Sequence, residues 1–292
     1  MNFEGIKTLL LKIWALIITV IAGITSLFQG NITDTKTLKL EKEMQFVVDE
    51  AFVAAQGLAV DGDILYTSGA ISALYMGGLG KIDMNTGEFI DKKLGSIPSE
   101  FQKKGYDHIG GIGYLDGKIY AAVEDKAEEY PLVLIYDANT LEYTGEYYDV
   151  TNEALDDGIP WCTVDADNGY LYCSKFRHAN EILAYNLTDM TFSHYISLSE
   201  EVDRVQAGAY LDGYIYLNLD PHNADGTKEV VAVDVFSGEV KKIGTRNTGG
   251  FETETEGIAA YKTENGDLRL IICDYDKTVA IFIREYTFVN NF

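Results

Sequence analysis

Tyr106-Asp107-His108-Ile109-Gly110-Gly111-Ile112-Gly113-Tyr114-Leu115-Asp116-Gly117-Lys118-Ile119-Tyr120-Ala121-Ala122-Val123-Glu124-Asp125 is the stretch whose reading decides the fold. A polar approach ends in Asp-His and a Gly pair. A short apolar strand follows, and Asp116-Gly117 supplies the positive φ that a tight hairpin needs. A second apolar strand then runs out into Glu124 and Asp125. Versions of this unit recur five times between Gln56 and Phe288. Asp61-Gly62, Asn168-Gly169, Asp212-Gly213 and Asn265-Gly266 occupy the place of the Asp-Gly turn. Tyr66, Tyr120, Tyr172, Tyr216 and Leu270 mark a period of about fifty residues, in the range of propeller blades.

Each copy continues into a third and a fourth strand. The turns between them are marked by Asn85-Thr86-Gly87, Ala138-Asn139-Thr140 and Ser237-Gly238. The last copy offers only three strands before the chain ends. The run Met44-Gln45-Phe46-Val47-Val48-Asp49-Glu50 is a spare strand ahead of the first copy. Pairing it with the last blade removes two open sheet edges and closes the ring. The expectation is an all-β, five-bladed propeller over residues 44–292. Six blades are the alternative if 95–107 or 31–55 holds further strand.

Composition agrees with an all-β domain: 20 Tyr and 28 Gly stand against 4 Pro. The net charge of −23 includes +1 from Glu4, Lys7 and Lys12, so the chain after residue 30 carries −24 (−23 minus +1). Such a surface repels phosphate backbones, which argues against nucleic acid as a partner, and it attracts cations, cationic peptides or Ca²⁺. Residues 1–30 are of another kind. Residues 13–28 carry no charge, and with Leu9, Leu10 and Leu11 the run reaches about twenty residues, enough to cross a hydrocarbon core. Lys7 and Lys12 ahead of it place the N-terminus in the cytoplasm. The expectation is a single-pass cell-membrane protein, anchored by this segment, with residues 31–43 as tether and the propeller outside the cytoplasm. A cleaved signal peptide and a secreted product are the alternative. Cys162 and Cys173 flank one hairpin; a turn centred on Asp167-Asn168 sets them opposite each other, and one centred on Asn168-Gly169 does not.

Blade topology sorts the connections onto two faces. The hairpin turns on one face are short, whereas the loops at 68–78, 95–108, 124–131, 149–160, 174–181, 218–228 and 245–256 are long and polar. Function tends to sit on the loop-rich face of a rigid scaffold. Inner strands begin near the axis on that face, so His108, Trp161, Gln206 and Glu254 or Glu256 are candidates for the channel mouth. Arg177, His178, Asp220 and His222 join them as ligand-face candidates. Two chemistries are open there. A hard cation such as Ca²⁺, the one candidate cofactor, would draw on Asp107, Glu124, Asp125, Glu254, Glu256 and Asp274. A general acid–base pair would use His108 with Asp107 or Glu256. The plain alternative is solvated charge, with His108 capping a strand start and Gly110-Gly111 permitting close packing. Neither Ser68, Ser72 nor Ser174 sits in a Gly-x-Ser-x-Gly elbow, and no phosphate loop or zinc-helix motif occurs.

Gln56-Gly57-Leu58-Ala59-Val60-Asp61-Gly62-Asp63-Ile64-Leu65-Tyr66-Thr67-Ser68-Gly69, followed by Gly80-Lys81-Ile82-Asp83-Met84-Asn85-Thr86-Gly87, resembles the first blade of plant-type glutaminyl cyclases, which are five-bladed propellers. The resemblance covers residues 56–87. The family's acidic residue before the Ser is Thr67 here, its Glu-Gly-Trp-Gly and Asn-Glu-Leu-Glu stretches have no counterpart, and no catalytic residue carries over. The repeat region as a whole is similar to the broad group of secreted gluconolactonase-like and quinoprotein-dehydrogenase-like propellers. In the lactonase type that resemblance implies channel carboxylates holding a divalent metal, with Glu256 in the matching place at the start of an inner strand. The expected function is a binding or interaction module for a protein, peptide or small molecule on the acidic loop face. The alternative is a metal-dependent hydrolase, lactonase or cyclotransferase.

Overall fold

The computed structural model describes residues 38–47, 50–71, 76–221, 223, 226–247, 253–276 and 280–288. They form five four-stranded antiparallel sheets. The first holds β2 (Leu58–Asp61), β3 (Ile64–Ile71), β4 (Met76–Asp83) and β5 (Phe89–Leu94); the second β6 (Tyr106–Leu115), β7 (Lys118–Asp125), β8 (Leu132–Asp137) and β9 (Tyr143–Asp149). The third holds β10 (Trp161–Asp165), β11 (Tyr170–Ser174), β12 (Ala179–Asn186) and β13 (Phe192–Val202); the fourth β14 (Val205–Leu211), β15 (Tyr214–Leu219), β16 (Thr227–Asp234) and β17 (Val240–Asn247). The fifth runs in the order β1 (Leu38–Val47), β20 (Ala280–Phe288), β19 (Leu268–Asp276), β18 (Thr253–Lys262). The N-terminal strand therefore closes the ring as the outer strand of the last blade. The stretch 95–107 contributes only a one-turn helix, α1 (Ser99–Gln102), and the start of β6, so the number of blades is five.

The closing strand begins at Leu38, within the charged stretch expected as tether. Leu38 and Phe46 are buried while Lys39, Glu41, Glu43 and Gln45 are exposed, a period of two that the charges hide in the sequence. Arg284 on β20 reaches across to this strand and donates to Glu43 Oε2 at 2.7 Å. Among the described residues no helix is long and apolar enough to cross a membrane; the segment 1–30 lies outside them.

Turn chemistry sets the hairpin registers. Leu115 pairs with Lys118 and Leu211 with Tyr214, so Asp116-Gly117 and Asp212-Gly213 are two-residue loops with both φ angles positive. Blade one departs from the expected Asp61-Gly62: Asp61 pairs with Ile64, and the loop is Gly62-Asp63 with only Gly62 at positive φ. In blade three Asp165 pairs with Tyr170, which sets Cys162 opposite Cys173; both thiols are free and buried. The turns between third and fourth strands share one device. Asp83, Asp137 and Asp234 each accept two backbone N–H bonds through Oδ1, from Asn85 and Thr86, Asn139 and Thr140, and Phe236 and Ser237.

Apolar side chains wedge between neighbouring sheets. Tyr66 and Leu79 of blade one pack with Ile112, Ile119 and Leu134 of blade two, and Phe46 of β1 packs with Leu65, Ile82 and Ile281 where blade five meets blade one. The inner strands line a narrow axial channel: a stretch of each, from Leu58, Ile112, Thr163, Ala209 and Ala259, borders the cavity at its short-turn end.

Candidate functional site

The opposite end of the channel is wider. There the inner strands begin, and their pairing is irregular in four of the five blades. Tyr106 pairs with Asp125 and His108 with Glu124, which leaves Asp107 extra. Val205 pairs with Leu219 and Ala207 with Asn218, which leaves Gln206 extra. Thr255 pairs with Asp274 and Ile258 with Ile272, so Glu256 and Gly257 face one residue. In blade one Gln56 N donates to Ser68 O at 2.8 Å while Ser68 N donates to Gly57 O at 3.0 Å, again two residues against one. A bulge of this kind bends the strand and re-aims a side chain. The result is a basin of about 280 Å³ at the axis, lined by Gln56, His108, Glu124, Gln206, Glu254 and Glu256, with Glu128, Asp157, Pro160, Phe176 and Arg177 around it.

Burial sets the protonation of this basin. His108 Nε2 lies 3.0 Å from Gln56 Oε1, and burial pushes the imidazole down to about 4. Burial, reinforced by Glu128, pushes the Glu124 carboxyl up to about 8, against a hydrogen bond from the Ile159 amide. Glu256 is 5% exposed. Burial holds its carboxyl well above the usual range, Glu254, Asp220 and Asp274 add to the effect, and Lys228 opposes it. At neutral pH the basin therefore holds an uncharged imidazole and a largely protonated Glu124, beside a Glu256 carboxyl biased toward its neutral form. Displaced protonation in a cleft is a mark of functional sites. On the rim, Arg177 Nη1 donates to Asp157 Oδ1 at 3.1 Å and its backbone N to Oδ2 at 2.9 Å. Phe176 lies between guanidinium groups, with Arg177 and Arg204 5.2 and 4.9 Å from its ring centre.

The residues singled out in the sequence divide. His108, Glu124, Gln206, Glu254, Glu256 and Arg177 come together, and all but Arg177 sit on strand ends rather than on loops. Asp107 is buried, with Lys126 Nζ 3.9 Å away. Asp125 closes its own turn, accepting the backbone N–H groups of Ala127, Glu129 and Tyr130. Asp274 accepts from Arg246 and Arg284, and Asp220 from Arg204, Lys228 and the Thr255 amide, so both belong to ion clusters behind the basin. Trp161 does not line the mouth. It is fully buried, donates to Ser174 Oγ at 3.2 Å, and packs where a Cβ on Gly208 would come 2.5 Å from its ring. His178 is exposed, 2.8 Å from Glu201, whose carboxylate raises its pKa. His222 lies outside the described residues. Among the described residues no group of three or more His, Cys, Asp or Glu side chains is arranged to hold a metal ion.

Gly110 and Gly111 serve packing. A Cβ on Gly110 would meet the Pro160 carbonyl oxygen, and Gly111 N donates to that oxygen at 2.8 Å. Ser68 Oγ accepts from Gly57 N at 2.7 Å and donates to the Gly110 carbonyl at 2.6 Å, a structural bridge between blades. Sequence reasoning passed over Gln56, Glu128 and Phe176 as site residues. Gln56 carried a signal: a polar residue directly before glycine at the head of an inner strand, as in Gln56-Gly57 and Glu256-Gly257.

No curated protein sequence matches the chain. Among solved structures, the luciferin-regenerating enzyme is similar with a TM-score of 0.53 and 9% identity over 85% of this chain and 96% of that one. The tail fiber of Staphylococcus aureus phage P68 is similar with a TM-score of 0.55 and 14% identity over 86% of this chain. The hydrazine synthase of Kuenenia stuttgartiensis aligns with a TM-score of 0.46 and 11% identity over 82% of this chain. The chain spans 52% of the tail fiber chain and 64% of the hydrazine synthase chain. At these identities the likeness is one of fold. The family described as "Repeat of unknown function (DUF6923)" matches residues 110–281, more than half of the chain and parts of four blades, and the chain belongs to that family.

Proposed function

We propose that this chain is a binding module whose ligand enters the axial basin at the strand-start end of the propeller. The observation that carries the reading is convergence: His108, Gln206 and Glu256 come from the inner strands of three blades and Gln56 from just ahead of the inner strand of a fourth, and bulges or a bulge-like irregularity occur at each of these strand starts. A rigid ring that aims polar side chains at one cavity is pre-organised to recognise a ligand with little ordering cost. The acidic surface supports a cationic or zwitterionic partner in preference to an anionic one. Of the carboxylates expected to attract a cation, Glu124, Glu254 and Glu256 meet at the basin, which keeps Ca²⁺ among the ligands to be tried. The charge-free run at 13–28 supports a membrane-tethered, extracytoplasmic module.

The test is a thermal-shift screen of the full-length chain with CaCl₂ and a panel of small cations, zwitterions and neutral polyols, run beside the double variant Gln56→Leu/Gln206→Leu. Ligands that raise Tm of the parent and leave the double variant unmoved support the basin. A screen in which every shift is equal in both chains overturns it. Membrane fractionation tests the anchor: residence in the soluble fraction without cleavage would sink that part.

A second reading, acid–base catalysis at the same basin, is favoured by one observation. Glu124 stays protonated near neutral pH, as a general acid must. It requires turnover of a lactone or amide substrate that Glu124→Gln abolishes.

A further inference from the structure

Glu256 stands apart from Asp220 and Asp274, the other buried carboxylates around the basin. The residue is 5% exposed, its side chain lines the basin, and its carboxyl receives no hydrogen bond or ion pair from the described residues. Its backbone carbonyl is engaged, accepting from Asn218 Nδ2 at 2.8 Å, which fixes the strand at the bulge from which the carboxyl projects. The neighbouring buried carboxylates are treated differently. Asp274 has two guanidinium partners, and Asp220 has a lysine, an arginine and a backbone amide. Among the described residues the enclosed side-chain atoms without a partner are Arg246 Nε and the Tyr286 hydroxyl; the Glu256 oxygens instead open onto the basin, so their partner must come from what fills it.

We propose, building on the basin as a binding site, that Glu256 is the anionic receptor for a primary ammonium group, which would sit between it, Glu254 and the carboxamide oxygens of Gln56 and Gln206. An –NH₃⁺ group offers three donors and no acceptor, which complements a wall of carboxylate and amide oxygens. A quaternary ammonium has no donors and prefers an aromatic cage, whereas among the described residues Phe176 is the one Phe, Tyr or Trp at this basin and its ring faces Arg177 and Arg204. Ca²⁺ asks for six or more oxygens at short range, and the described residues offer no such cluster. Burial and the charges of Glu254, Asp220 and Asp274 favour the neutral acid in the empty basin, with Lys228 opposing them. Of the other groups facing the cavity, His108 and Glu124 are uncharged at neutral pH, Arg177 is held by Asp157, and Glu128 is a further acidic group, so no unpaired cation competes among the described residues. An arriving ammonium reverses that balance, so binding is coupled to loss of the Glu256 proton to solvent.

The experiment is isothermal titration of the full-length chain at pH 7 with n-butylammonium chloride. Its comparators are 1-butanol, tetramethylammonium, CaCl₂ and N-acetyl-lysine amide, the last separating a peptide side chain from a free amine as the source. Butylammonium is expected to bind at least tenfold more tightly than butanol or tetramethylammonium. Its apparent enthalpy should change with the ionisation heat of the buffer, which reports the released proton in the unmodified chain. Glu256→Gln should weaken binding at least tenfold and leave the unliganded Tm no lower than the parent's. Tighter binding of Ca²⁺, binding of butanol alone, or butylammonium binding insensitive to Glu256→Gln overturns the ammonium assignment and leaves the basin as a site for another ligand. No binding by any of these probes overturns the assignment too, and the Tm screen with the Gln56/Gln206 variant then decides the broader reading on its own.

Discussion

His108 and Glu124 are a cross-strand pair, opposite each other on β6 and β7, and burial moves them in opposite directions. An acid whose pKa is higher in the folded chain binds the extra proton when folded. Glu124 therefore subtracts stability progressively as pH rises from its ordinary 4.5 to about 8. A base whose pKa is lower when folded leaves the extra proton on the unfolded chain, so His108 subtracts stability as pH falls from 6.5 to about 4. Where these windows overlap, between 4.5 and 6.5, the two slopes oppose each other, and above pH 6.5 only the Glu124 slope is left. Glu124→Gln should accordingly be near neutral at pH 5 and stabilising by about 2 kcal/mol at pH 9, a figure below the full pKa shift because the amide also needs partners. Urea unfolding at the two pH values checks this, and a difference independent of pH would refute it. Asp-His at the entry of the opening stretch and Glu-Asp at its exit marked this pair in the sequence. What the sequence hid was that both stand within strands, and that Asp107 and Asp125 turn away, one buried near Lys126 and one capping its own turn. Periodicity shows where a strand is, but a bulge changes which side chain faces the axis without changing composition.

At the scale of the element, the closing strand β1 is held at two points. Phe46 enters the apolar wedge between blades five and one, its ring edge-on to Phe89 at 5.1 Å between centres. Glu43 extends the buried chain of charge in which Arg246 and Arg284 share Asp274. Arg246 is 1% exposed, and Asp274 is fully buried. Burial alone would raise the Asp274 carboxyl, but the two guanidinium groups outweigh it and hold it below its ordinary value. Removing Asp274 leaves two buried cations without their common anion. Asp274→Asn should cost about 3–5 kcal/mol, and Phe46→Ala about 3–4 kcal/mol, both read by denaturant unfolding. The two sites lie on different sides of the strand pair, so the double variant should be close to additive. A loss under 1 kcal/mol at Asp274 would mean that the cluster does not carry the closure. The strand itself was legible as a spare unit before the first repeat. Its first half was not, because Lys39, Glu41, Lys42 and Glu43 read as linker until paired with β20, where outward charges suit an edge strand. Asp274 looked like a cation ligand for the same reason: a carboxylate at a strand end shows its charge in the sequence, while Arg246 and Arg284, which neutralise it, are 28 and 10 residues away.

At the scale of the whole molecule, five blades and their closure follow from five turn signals in register with one unpaired strand. The excess of negative charge does not enter that argument at all. The excess is 46 acidic against 23 basic side chains, and a compact chain with that balance repels itself. Salt should therefore stabilise it. Raising NaCl from about 20 mM to about 200 mM shortens the screening length from about 20 Å to under 10 Å, and Tm should climb by a few degrees. The same measurement separates general screening from a discrete cation site. CaCl₂ and NaCl at matched ionic strength screen alike, so an extra rise with Ca²⁺ that saturates with concentration is mass action at a site. Saturation at Glu124, Glu254 and Glu256 would make the extra rise vanish in Glu256→Gln, whereas an extra rise unchanged in that variant would put the ion elsewhere on the acidic surface. With an ammonium group as the preferred guest, Ca²⁺ and Na⁺ should give superimposable curves at matched ionic strength, and n-butylammonium should rise above both.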